Sequence, residues 1–149
     1  MVTQISEQSH DYFRWHDSGD IFSEPYLMLM VEVIRATPDT KHWIPTKEFN
    51  LIQKHWVLLE SLSNATFRYS TGALAETRDQ LSPGPDGPPI AHVQSVEGYG
   101  TAASITRVAQ SGALLCLAAA RAKLGKEQAC GDCRACWMPS VRAIVYNLH

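Results

Sequence analysis

The chain has 149 residues, a formal net charge of −2, 45% hydrophobic and 19% charged residues. That composition suits one soluble globular domain, residues 1–149, large enough to bury a core. It excludes both a generic polyanion binder and a strongly acidic mimic of nucleic acid. Met1 to His10 is polar and lacks the apolar stretch of a signal peptide. The longest apolar run, Ala113 to Ala120, falls well short of the roughly 20 residues needed to cross a bilayer. A cytoplasmic protein without a membrane segment is expected.

In chain order, Tyr12-Phe-Arg-Trp-His16 is an aromatic run with strand character, followed by the loop Asp17-Ser-Gly-Asp20. Ser23-Glu-Pro25 opens a helix, because proline is tolerated in a first turn. Leu27, Met30, Val31 and Ile34 keep the i, i+3, i+4, i+7 rhythm of one buried face, and Pro38 stops it. The same stretch is apolar enough to read as a strand. Lys41 to Pro45 is a second strand. Thr46 is placed to cap a second helix reaching Leu62, with Ile52, Trp56, Leu59 and Leu62 inward. Ala65 to Tyr69 is a third strand. Strand starts at Tyr12, Lys41 and Ala65 recur at the ~30-residue spacing of a β-α-β unit, which implies an α/β fold with a partial parallel sheet.

Leu81 to Pro89 holds four prolines and two glycines and reads as an exposed loop. Beyond it, His92 to Val96 and Ser140 to Tyr146 are strand-like. Cys116 to Lys126 reads as a helix or as a strand followed by a short helix.

Reactive groups of parallel sheets gather beyond the carboxyl ends of the strands. Three clusters meet that rule: His16 to Asp20, then Thr46, Lys47 and Glu48, then Ser70, Thr71 and Gly72. His16 beside Asp17 and Asp20 suits acid–base work or metal ligation, or else a turn at Gly19 with the carboxylates holding loop amides. Lys47 and Glu48 suit contact with an anionic ligand and with a proton donor respectively, or simply the exposed first turn of a helix, where the dipole favours an acidic residue. Trp56 is expected in the core, and His42 and His92 have no distinctive neighbours.

The four cysteines, Cys116, Cys130, Cys133 and Cys136, are spaced C-x13-C-x2-C-x2-C. In a reducing compartment that spacing points to zinc or an iron–sulfur centre such as a [4Fe–4S] cluster, with two disulfides as the alternative. His149 is an alternative fourth ligand to Cys116. Residues 116–149 would then be a metal-binding portion, a cysteine-rich knuckle with Trp137 as a shield.

Phe13-Arg-Trp-His-Asp-Ser-Gly-Asp-Ile-Phe-Ser23, Tyr26, Trp43-Ile-Pro-Thr-Lys-Glu48 and Cys130-Gly-Asp-Cys-Arg-Ala-Cys-Trp137, with Tyr146 and His149, resemble the bacteriophage "gene product 88" proteins. Members of that family resemble partial relatives of radical-SAM-type barrels, which implies an incomplete barrel-like sheet here. The resemblance implies that Ser18, Gly19 and Asp20 stand where such barrels hold a cofactor's amino group. Longer members carry a further cysteine motif ahead of the His16 segment; here no cysteine precedes Cys116, so a cluster that uses upstream thiols is not expected.

Three functions follow as expectations. The first is a phage-type protein with a structural four-ligand metal site. The second is a small phage protein that binds and inhibits a host complex, such as a defence (anti-CRISPR-like) assembly. The third is a metal-dependent or radical-SAM-like enzyme. Direct nucleic-acid binding is not expected, because Lys and Arg are scattered. Exposed edge strands favour a homodimer.

Overall fold

The computed structural model describes residues 1–7, 11–71, 93–97, 114–116, 130–141 and 143–147. The chain divides into two compact units, Met1–Tyr69 and Ser70–His149. The architecture is mixed α/β with parallel strands.

The N-terminal unit begins with a short helix, α1 (Val2–Glu7), whose Ile5 is buried. Strands β1 (Tyr12–Arg14), β2 (Lys41–Thr46) and β3 (Ala65–Thr71) follow the expected spacing. All pair in parallel around a central β2, with Phe13 opposite His42 and Ile44 opposite Phe67. A parallel strand covered on both faces cannot alternate inside and out. His42, Trp43, Ile44 and Thr46 are accordingly all buried.

Helix α2 (Glu24–Ala36) connects β1 to β2. Ser23 caps it by accepting a hydrogen bond from the Tyr26 N–H, Pro25 sits in its first turn, and Leu27, Met30, Val31 and Ile34 are its buried residues. They pack with Trp15, Ile21, Ile44, Leu59, Leu62 and Phe67 into one core. The strand alternative for this stretch is therefore not realised. Each such side chain removed from water contributes about 1.5–3 kcal/mol before entropy is set against it.

The helix expected from Thr46 to Leu62 differs from the structure. It starts at Phe49 and breaks at His55 (φ −108°, ψ 15°) into α3 (Phe49–Lys54) and α4 (Trp56–Glu60). Thr46 does not cap it. That residue ends β2, and its hydroxyl is engaged by the β1–α2 loop, as described below. Trp56 is half-buried rather than core, while Leu59 and Leu62 are buried.

In the C-terminal unit, β4 (Val93–Glu97), β5 (Leu114–Leu115) and β6 (Ala143–Asn147) pair in parallel in the order β4-β6-β5. Ile144 and Val145 of the central strand are buried. The Cys116 N–H extends the β5–β6 pairing by donating to the Val145 carbonyl at 2.9 Å. The proline-rich loop 81–89, His92, residues 117–126 and His149 lie outside the described residues. Among the described residues, no helix is long and apolar enough to cross a membrane.

Candidate functional site: the strand-end rim

β1 ends because the chain turns at His16, whose φ of +56° places a non-glycine residue in the left-handed region. The Trp15 N–H still donates to the Trp43 carbonyl at 2.9 Å, so the reversal begins one residue beyond the last sheet hydrogen bond. Gly19, at φ +90°, makes the second sharp bend, and a side chain there would be strained whatever the space around it. Asp17 is almost fully exposed and lies 3.9 Å from Arg14; Ser18 and Gly19 are exposed as well.

Asp20 has a different task. Its Oδ1 accepts from the Ile21 N–H at 2.7 Å and from the Thr46 hydroxyl, and its Oδ2 accepts from the Lys47 N–H at 2.7 Å. Thr46 Oγ1 in turn accepts from the Glu48 N–H at 3.0 Å. One carboxylate thus ties the first rim cluster to the second, and charge-assisted bonds of this kind are the strong ones. The two clusters that spacing placed on one rim do meet. They meet through a loop-organising aspartate with its oxygens in use. The third cluster is altered: β3 runs on to Thr71, so Ser70 and Thr71 are strand residues, and Gly72 lies outside the described residues.

His16 is half-buried, and its Nε2 shares a 3.0 Å hydrogen bond with the Tyr26 hydroxyl. Its Nδ1 is shielded from solvent and has no hydrogen-bond partner among the described residues. Whichever nitrogen carries the proton, one side of the ring is left unsatisfied. Such a group costs about 1–3 kcal/mol, and a non-glycine left-handed backbone adds a comparable cost. Tyr26 also stacks on Phe22, with ring centroids 4.5 Å apart, and Phe22 is 79% exposed. A histidine, a tyrosine and an accessible aromatic face therefore share this part of the rim. Neither Asp17 nor Asp20 bonds to the imidazole, so the expected histidine–carboxylate pairing is absent among the described hydrogen bonds.

His42 and Asn64 are among the buried polar residues that escaped the sequence reading. His42 receives a hydrogen bond at Nδ1 from the Trp15 indole N–H (3.1 Å), and its Nε2 lies 2.9 Å from Thr37 Oγ1, whose own proton goes to the Val33 carbonyl (2.8 Å). The indole can only donate, which fixes His42 as the neutral Nε2–H tautomer. Burial pushes its pKa down to about 4, against a smaller opposing effect of the Thr37 backbone. Asn64 spreads its Nδ2 protons over the carbonyls of Ile34, Thr37 and Thr40, closing the end of α2 onto the start of β3. The signal available in the sequence was that a central parallel strand has no solvent side. Any polar residue in it needs an internal partner.

At the opposite, amino-terminal end of these strands, a cavity of about 340 Å³ is lined by Ile5, Asp11, Thr37, Asp39 and Thr40, among others. It shares no residue with the rim.

The cysteines are resolved at all four positions, and none is joined in a disulfide. Cys130 is exposed, Cys116 and Cys133 are half-buried and Cys136 is buried. Among the described residues no three His, Cys, Asp or Glu side chains come together to hold an ion. This applies to the thiols and to the His16–Asp20 loop alike. The anticipated four-sulfur knuckle is thus not assembled by the described residues. What the sequence does form is a β-turn from Cys130 to Cys133, followed by a 3₁₀ turn at Ala135–Trp137.

No curated protein and no solved structure matches the chain. The family model described as Gene product 88 matches residues 1–139, a span that includes both the rim and the cysteine turn. The protein belongs to this phage Gene product 88 family.

Proposed function

We propose that the protein binds a small polar ligand at the carboxyl-end rim of its N-terminal strands and exchanges a proton with it through His16. One observation supports this reading above the others. His16 combines a left-handed backbone with a shielded, unbonded Nδ1, beside Tyr26 and the exposed Phe22 ring. A fold does not hold an unfavourable backbone and an unsatisfied polar atom in one residue for stability, and at strand ends such features accompany binding and catalysis. Asp20 positions the loop, and Tyr26 orients the imidazole through Nε2. A panel of small carboxylates, amines and nucleosides, screened by saturation-transfer NMR, tests the reading. Binding that perturbs the His16 ring and is lost in His16→Asn supports it. Binding that is indifferent to this substitution, or no binding from any class, contradicts it.

A second proposal is a structural metal, zinc or a [4Fe–4S] cluster, on the thiols. The Cys130–Cys133 turn favours it, because C-x2-C turns present two sulfurs to one ion. The turn offers Cys130 and Cys133, and a closed centre would add Cys136 with Cys116 or His149. Elemental analysis of untagged protein decides: one zinc or a full iron complement per chain supports the proposal, and metal-free, fully folded protein removes it.

A further inference from the structure

We propose that Cys130 and Cys133 form a redox-active dithiol that reacts with low-molecular-weight disulfides. The Cys133 N–H donates to the Cys130 carbonyl at 3.0 Å, and Gly131 between them has a φ of +53°. That is a closed β-turn with a left-handed first corner, where glycine carries no Cβ penalty. Such a turn keeps its end Cα atoms within about 7 Å, and disulfides span Cα separations of roughly 4.4–6.8 Å. The backbone thus already holds these two residues at bonding range.

Arg134 stiffens the arrangement. Its Nη1 donates to the Gly131 carbonyl at 2.6 Å and to the Cys133 carbonyl at 3.0 Å, so the guanidinium lies across the turn. The third thiol of the cluster belongs to the next turn, in which the Trp137 N–H donates to the Arg134 carbonyl, and Cys136 is buried there. Exposure also orders the chemistry. Cys130 meets solvent, Cys133 is half-covered and Cys136 is enclosed.

The reaction is thiol–disulfide exchange. The Cys130 thiolate attacks one sulfur of a disulfide such as oxidised glutathione, forming a mixed disulfide and releasing one thiol. The Cys133 sulfur then attacks the Cys130 sulfur and expels the second thiol. The dithiol gives up two protons and two electrons, and the small disulfide becomes two thiols.

The test uses the full reduced chain, treated with oxidised glutathione, alkylated, digested and mapped by mass spectrometry. The expected product links Cys130 to Cys133 within one chain and leaves Cys136 open to alkylation after unfolding. Cys133→Ser should trap glutathione on Cys130, and Cys136→Ser should close at an unchanged rate. A persistent adduct on the unmodified sequence, a link to Cys136 or Cys116, or a link between two chains would overturn the proposal. Resistance to oxidation because stoichiometric zinc occupies the thiols would overturn it as well.

Discussion

Asp20 and His16 stand four residues apart in one loop, and the structure treats them in opposite ways. Every oxygen of the Asp20 carboxylate is in use, drawing on Ile21, Thr46 and Lys47. His16 has one nitrogen bonded to Tyr26, one left over, and a backbone in the left-handed region. A residue whose hydrogen bonds are complete explains the shape of its loop. A residue left incomplete at a strand end needs a further reason to be there. Both ring nitrogens of His42 and the side-chain nitrogen of Asn64 are, like the Asp20 oxygens, hydrogen-bonded.

If that division is right, substitutions on the connected side should cost stability and those at His16 should not. The largest effect is expected in acid. His42 is neutral in the fold with a pKa of about 4, whereas its ordinary value is 6.5. Between those values the unfolded chain binds the extra proton and the fold does not. Stability therefore falls as pH drops from 6.5 towards 4 and levels off below, by up to about 3 kcal/mol from this group. Urea unfolding across that range measures it, and a flat profile would place His42 outside the core network.

Asn64→Leu comes next. It leaves the carbonyls of Ile34, Thr37 and Thr40 without their shared donor, and a loss of about 2–3 kcal/mol in urea unfolding is expected. Asp20→Asn should cost less, about 1–2 kcal/mol, because the amide keeps one acceptor oxygen but turns an N–H towards a donor. Faster hydrogen exchange at the Lys47 amide would show that this bond, rather than the wider core, was lost. Smallest is Lys54→Met. The Lys54–Glu24 pair is short at 2.6 Å but exposed, and its removal should change stability by less than ~0.5 kcal/mol.

What was readable in the sequence depended on local rules. The face of α2 came out residue for residue, because a 3.6-residue period and a Ser-x-Pro start need no knowledge of partners. The parallel order of β1, β2 and β3 followed from their spacing, since one helical connection of that length returns a strand in the same direction. Misreadings arose where a distant group competes for a local one. Thr46 looks like a helix cap, yet it ends β2, its hydroxyl donating to Asp20 across 26 residues while its oxygen accepts from the Glu48 N–H, and the helix starts only at Phe49. His55 sits mid-pattern for a helix, yet it breaks the helix while facing Glu24 at 2.9 Å. The cysteine spacing was read as a four-ligand knuckle, whereas the described residues show a turn from Cys130 to Cys133. Spacing alone carries no information on whether Cys136 and Cys116 converge on that turn.

The rim account is tested most directly by the unfolding free energy of His16→Asn beside that of the parent chain. Asparagine tolerates the left-handed backbone and shortens the side chain that carries the unbonded nitrogen. The account predicts a variant at least as stable as the parent and deficient in ligand binding. A loss of stability of about 1 kcal/mol or more, of the size a satisfied structural hydrogen bond supplies, would contradict it.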